Sequence, residues 1–439
     1  MRKSIILILL IGLFLTGCVR VEDPDSIPTY TISFNTNNDV NIPDKTVFDG
    51  ETLLDLPVPS LEGMDFIGWS YAQEMIVFPW LFDLQKDVTL TANYAHPEWE
   101  YLIEHDTIVI TGYRGTDTHV VMPTSINGLP VFRIDNNAFE DNTTIQHLTI
   151  ASTVALLGRD MFLNSSVRTI DFEENAAVTI FPNSSFYGAK QLESITIPRN
   201  VEIIGDGAFD HNEALRTIRF ENGSKLREIQ MYAFNRTGIE TVTLPASLEI
   251  IGYWAFADCY NLVSVYFENN HNIHTIGRGA FAYSLNLSTF TFPSGVSVYP
   301  SYLLRGNTAI KHMVLPEGVE VIEENAFYLM DALETVTMPK TVTRIEAWAF
   351  PWLPALTEVI FMEPSQLTVI ETFAFFTNPS LKKIIIPMSV TTIENFAFYH
   401  NNELVLYMRH SERPATWAYS FYQRAYWTEE ETLVWNYKD

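Results

Sequence analysis

Cysteine is nearly missing from this chain: Cys18 and Cys259 are the only two in 439 residues. That excludes a disulfide framework. Basic residues are scarce as well, 27 Lys and Arg against 53 Asp and Glu, for a formal net charge of −26. Nucleic acid binding needs basic patches that neutralise phosphates, so the balance argues against it. It argues equally against tight docking on anionic membranes. The surplus carboxylates fit the plain task of keeping a large secreted chain soluble. Motifs that carry chemistry are also lacking: no GxxxxGK[ST], GxGxxG after a strand, HExxH, GxSxG or CxxC. No D-x-[DN]-x-[DN]-G loop offers calcium its ligands. His271 and His274 form an H-x-x-H, but no third ligand stands near them. We therefore expect no enzyme activity, no cofactor and no metal.

What the chain has in abundance is repetition. Ile195 to Leu215 reads ITIPRNVEIIGDGAFDHNEAL, and its Ala-Phe pair recurs at Phe139, Phe209, Phe234, Phe256, Phe281, Phe327, Phe350, Phe375 and Phe398. Degenerate versions fall at Phe162, Phe186, Leu304 and Phe421. Successive intervals run from 22 to 25 residues. A fixed period in that range marks a stacked-repeat architecture. Within one turn, Ile195 and Ile197 alternate to point inward, Val201 and Ile204 cover the next side, and Phe209 plugs the third. Ala208 is small enough to let that corner close. No single turn can bury these groups; neighbours above and below can. Some turns end their strand in proline, at Pro123, Pro198, Pro245, Pro293, Pro316, Pro339 and Pro387. Proline has no N–H for a ladder and so marks a corner. Others run on through FEEN, FENG, FENN and FMEP, and these are the longer turns.

This pattern resembles the BspA-type leucine-rich repeat of bacterial surface proteins, from about Val120 to Tyr407. ITGYRGTDTHVVMPTSINGLPVFRIDNNAF (110–139) resembles the usual lead-in to such arrays. The resemblance implies a mainly β chain, a right-handed parallel solenoid with short helical turns, used for adhesion or other binding. It brings no catalytic residues.

The N-terminus reads as a targeting segment. Arg2 and Lys3 precede the apolar run Ile5–Leu15, too short to span a bilayer and right for a signal peptide. Leu15-Thr16-Gly17-Cys18 resembles a bacterial lipobox, which implies cleavage before Cys18 and a lipid on its sulfur. A doubly acylated anchor holds stably; a plain secretory signal with a chance cysteine is the alternative. Either way an extracellular location follows, lipid-anchored on the cell membrane in the first case. Cys259, left without a partner, is expected as a buried thiol rather than a nucleophile.

The expected divisions are 1–18 signal, 19–28 acidic linker, 29–95 small module, 96–120 hairpin and cap, 121–408 solenoid and 409–439 far cap. In the module, YTISF (30–34) and DVTLTANY (87–94) alternate as strands. With Gly50, Pro57, Gly63, Phe66, Gly68 and Trp69 it resembles the internalin B-repeat. That implies a β-grasp spacer or protein-binding module with Trp69 as its core plug. AQEMIVFPWLF (72–82) departs from the short polar loop such modules carry. In 100–113 we expect a hairpin turning at His105-Asp106, capping the solenoid's open edge.

Two apolar sets are candidates for a binding patch. Tyr266, Val314, Ile360 and Ile385 fall at outward strand positions. Tyr328, Leu329, Met330, Trp352, Leu353, Phe376 and Tyr399 follow the plugs. Merged across adjacent turns they would form one contiguous apolar surface, the usual mark of an interaction site. Alternatively they pack under loops or against a second copy. The expected partner is an extracellular protein or glycan; a spacer without a ligand is the other reading.

Overall fold

The computed structural model describes residues 28–421 and 433–438, apart from positions 38, 62, 63 and 270. The targeting segment, Cys18, most of the linker and positions 422–432 of the far cap lie outside the described residues. The chain divides into two units, Met1–Pro97 and Glu98–Asp439.

In the first unit one sheet runs in the order Lys45–Phe48, Thr29–Asn35, Val88–Ala95, Asp65–Tyr71, Glu74–Met75. Thr29–Asn35 pairs parallel with Val88–Ala95, and the other pairs are antiparallel. Trp69 is its plug, as expected: it is buried, against Phe34 and Phe66 at 4.9 and 5.6 Å. Its Nε1 donates to the Pro57 carbonyl at 2.8 Å, so burial leaves no polar atom unpaired. The unusual 72–82 segment turns through Ala72 and Gln73 in left-handed conformation, and Trp80–Phe82 pairs back on Glu51–Leu53.

The second unit opens with the expected hairpin. Trp99–Glu104 pairs antiparallel with Thr107–Tyr113, and His105 and Asp106 both take positive φ at the turn. Thr107–Tyr113 then pairs parallel with Leu129–Ile134, which ties the hairpin to the coil. Trp99 lies edge-on to Phe139 at 6.3 Å and so closes the plug column.

Coils of the solenoid can meet their neighbours on three sides. On the first, strands pair in parallel, with Ile195 on Ile218 and Thr196 on Arg219. On the second, two-residue strands such as Ile203–Ile204, Glu228–Ile229 and Ile250–Ile251 pair in register. On the third, most plug N–H groups reach the carbonyl of the residue before the next plug, usually an alanine. Phe209 donates to Ala233 at 2.7 Å, Phe234 to Ala255 at 2.8 Å, and Phe350 to Ala374 at 2.7 Å. The proline corners are β-turns: the Pro198 carbonyl accepts from Val201 at 3.1 Å and Pro245 from Leu248 at 3.0 Å. In three of the four longer turns a corner glutamate accepts from the preceding turn, Glu173 from Ser152 N at 2.8 Å, Glu221 from Arg199 N at 3.0 Å and Glu268 from Ala246 N at 2.9 Å.

The plugs are fully buried and stacked face to face, Phe186 on Phe209 at 4.8 Å and Phe350 on Phe375 at 4.8 Å. Burying each contributes roughly 1.5–3 kcal/mol. No helix occurs among the described residues, so the short helical turns implied by the resemblance are absent, the plug turns included. The reason is local. Two residues before each plug from Phe139 to Phe398, and two residues after it, the backbone is left-handed, with φ between 50° and 76°. A right-handed helix cannot pass through such residues.

Candidate binding face on the plug turns

The two left-handed residues that bracket each plug define a surface. The position before the plug is Asn137, Asp160, Ser184 and Gly207 in the first four turns. These are small or polar residues, most of them of the types that tolerate the left-handed region best. Further along the same position is Tyr232, Trp254, Tyr302, Trp348, Phe373 and Phe396, all at φ 55–59°. Gly279 and Asn325 are the exceptions. The position after the plug stays mixed: Asp141, Asn164 and Gly188 come first, Tyr283, Leu329 and Trp352 are bulky, and Asp258, Gly306, Thr377 and His400 stand among them. Bulky residues with positive φ carry strain of about 1–2 kcal/mol each.

In the last turns these rings form a continuous ridge. Trp348 stacks on Phe373 at 4.6 Å, and Phe373 on Phe396 at 5.4 Å. Beside them Trp352 meets Tyr328, Phe376 and Trp348 at 6.2, 5.1 and 5.8 Å. Phe376 continues to Tyr399 at 6.0 Å, and Tyr399 to His400 at 4.2 Å. Trp352 is 45 % exposed, and Tyr328, Trp348, Phe373, Phe376, Phe396 and Tyr399 are half-buried.

Of the residues expected after the plugs, Tyr328, Leu329, Trp352, Phe376 and Tyr399 therefore reach the surface. Met330 and Leu353 do not; both are fully buried and are corrected to core. Each stands three residues after a plug, a column that also holds Cys259, Asn307, Asn378 and Asn401, all fully buried. There Asn378 Nδ2 donates to the Phe350 carbonyl at 3.0 Å and Asn401 Nδ2 to Phe375 at 2.6 Å. Cys259 Sγ donates to the Phe234 carbonyl at 3.2 Å. Burial pushes its thiol up to about 11, where it is no nucleophile.

Tyr266, Val314 and Ile360 are exposed on the strand side and Ile385 is half-buried there. They occupy a different side of the coil from the ridge, so the expected single patch is two separate surfaces. Ile360 and Ile385 line a groove of about 420 Å³ with Lys383, Glu363 and Arg409. Tyr266 lines another of about 410 Å³ with His271. His274 lines a different cavity, so the two histidines do not converge. Among the described residues no three metal-ligating side chains gather.

A parallel β coil with a stacked aromatic column along its interior is the architecture of a leucine-rich-repeat protein. The family model of the BspA type leucine rich repeat region matches residues 120–236, 179–308, 227–357 and 299–422, and the chain belongs to that family. Residues 30–93 match the Listeria-Bacteroides repeat domain. A leucine-rich repeat protein from Bacteroides ovatus is 20% identical, with 74% of this chain and 90% of that one covered and a TM-score of 0.50. The pneumococcal vaccine antigen PcpA is 19% identical, covering 76% and 88%, with a TM-score of 0.47. A leucine rich cell surface protein from Faecalibacterium prausnitzii is 20% identical over 61% and 94%, with a TM-score of 0.32. No curated protein matches the chain.

Proposed function

We propose that this chain is a non-catalytic surface protein, anchored through Cys18, that binds an extracellular protein through the aromatic ridge of its last turns. The observation that carries the reading is the change at the left-handed positions. Asn, Asp, Ser and Gly hold the position before the plug in the first four turns, whereas strained aromatic residues hold six of the eight such positions from Tyr232 onward. Strain kept where an unstrained residue is available belongs with function. Large half-exposed aromatics are the common anchors of protein interfaces. A glycan fits less well, because sugar rings pack on open aromatic faces. Here the faces of Trp348, Phe373 and Phe396 are turned on one another.

The test is adhesion of the purified chain to target cells or matrix. Protease treatment of the target should abolish binding, periodate oxidation of its glycans should not, and Trp352→Ala should weaken it. Binding lost to periodate alone would transfer the reading to a glycan. Binding only to further copies of the chain would leave the spacer reading in its place.

A further inference from the structure

Between the turn of Phe281 and the turn of Leu304 the coil keeps its period of 23 residues but loses two of its three ladders. On the first side, pairing stops after Thr289–Phe290 and begins again at His312–Val314. On the second, it stops after Thr275–Ile276 and begins again at Val298–Tyr299. Elsewhere a break on one side is bridged by the other: Thr217–Phe220 and Thr241–Leu244 do not pair, yet Glu228–Ile229 and Ile250–Ile251 do.

The cause is legible in the residues. In the turns on either side, the residue after the short strand donates to the turn before it. Gly252 reaches Ile229 at 2.7 Å, Gly277 reaches Ile251 at 2.7 Å, and Glu323 reaches Tyr299 at 3.0 Å. The equivalent residue is Pro300, which has no N–H to give Ile276. The plug is Leu304, too small to continue the phenylalanine stack. Tyr299 fills the space and stacks on Phe327 at 4.6 Å, with its hydroxyl buried and without a hydrogen-bond partner. A cleft opens on the second side: of about 620 Å³, it lies between His274–Arg278 and Val296–Ser301.

The third side is reinforced instead. Gly279, Phe281 and Tyr283 donate to the carbonyls of Ser301, Leu303 and Arg305 at 3.0, 3.0 and 2.6 Å. Arg305 lies 5.1–5.3 Å from the rings of Tyr283, Tyr302 and Tyr328, and Arg278 lies 4.5 Å from Tyr302. Two cations among three tyrosines thus pin three successive turns together on this side.

We propose that the solenoid is articulated here: the turns before Phe290 and those from Val298 onward move as two blocks, pivoting on the plug side while the cleft beside Pro300 opens and closes. Spin labels on Tyr266 and Ile360 cross the joint. Labels on Asp171 and Tyr266 span the same number of turns without crossing it. Both pairs are placed in a chain carrying Cys18→Ser and Cys259→Ala, and both mean distances should be about 19 Å at the strand spacing. The pair that crosses should show the broader distance distribution, and Pro300→Gly, which restores the N–H, should narrow it to the width of the other. Amides 297–299 should also exchange hydrogen roughly tenfold faster than amides 320–322, a difference that Pro300→Gly removes. Equal widths for the two pairs, or equal exchange at the two sets of amides, would overturn the joint.

Discussion

Trp352 and Phe350 are two residues apart and should behave as different kinds of residue. Phe350 is fully buried in the stack, so Phe350→Ala should lower stability by about 3–5 kcal/mol. Trp352 is 45 % exposed, so Trp352→Ala should weaken partner binding and leave the melting temperature nearly unchanged. A variant that melts early would place Trp352 in the core. The left-handed aromatics allow a sharper test. Tyr232 sits at φ 56° and is 39 % exposed, outside the stacked run. Tyr232→Asn should raise stability by about 1 kcal/mol, measured by denaturant unfolding, because Asn accepts that conformation. At Phe373 the same relief is offset by lost ring stacking of about 0.5–1.5 kcal/mol per pair, so the net change should be small. The plug column was readable in the sequence because burial repeats with the period. The left-handed column was not. Trp348-Ala349-Phe350 reads as more core, and only backbone geometry separates the two aromatics. Met330 and Leu353 misled for the same reason, since nothing local says that the third residue after a plug turns inward.

Strands and corners were the most legible elements: alternation gave the strands, and prolines gave the corners. The carboxylates that join the turns were hidden among many acids. Glu323, Glu346, Glu371 and Glu394 stand at one position of successive turns. Each accepts an N–H from the turn before: Ser301 at 2.8 Å, and Glu324, Ala347 and Thr372 at 3.1 Å. They satisfy the corner backbone but crowd like charges. Burial, with the charges of Glu371 and Glu323 behind it, holds the Glu346 carboxyl above its usual range despite the N–H of Glu324. The folded form therefore binds its proton more tightly than the unfolded form does. The resulting penalty is absent below the unfolded pKa, grows as pH rises towards the folded pKa, and is constant above it. Glu346→Gln keeps an acceptor and removes the charge. It should melt higher than the parent at neutral pH, and the difference should vanish below about pH 4, under the ordinary glutamate pKa. A difference that persists in acid would mean that packing, not charge, sets the effect.

At the scale of the whole chain, stability in a coil is a sum of turn terms and nearest-neighbour terms. Cooperative unfolding across the array depends on every neighbour term being large. The joint at Pro300 is where that term falls, since two of three ladders are interrupted and the phenylalanine stack gives way to Leu304 and Tyr299. Each block carries its own closure. The first has the hairpin and Trp99 over Phe139, and the second has Trp417 against Phe421 at 5.5 Å and Leu433–Val434 paired on Val405–Met408. Either block can therefore stand while the other melts. Denaturant unfolding of residues 98–439 should show two transitions, each with a slope smaller than a cooperative unit of that length requires. Pro300→Gly should draw them together by restoring one bond of the broken ladder. Adding Leu304→Phe, which returns the ring to the stack, should merge them further. Tryptophan emission can assign the steps, because Trp99 and Trp254 report on the first block and Trp348, Trp352 and Trp417 on the second. A single transition, seen alike by backbone and tryptophan signals, would show that the plug side alone couples the blocks.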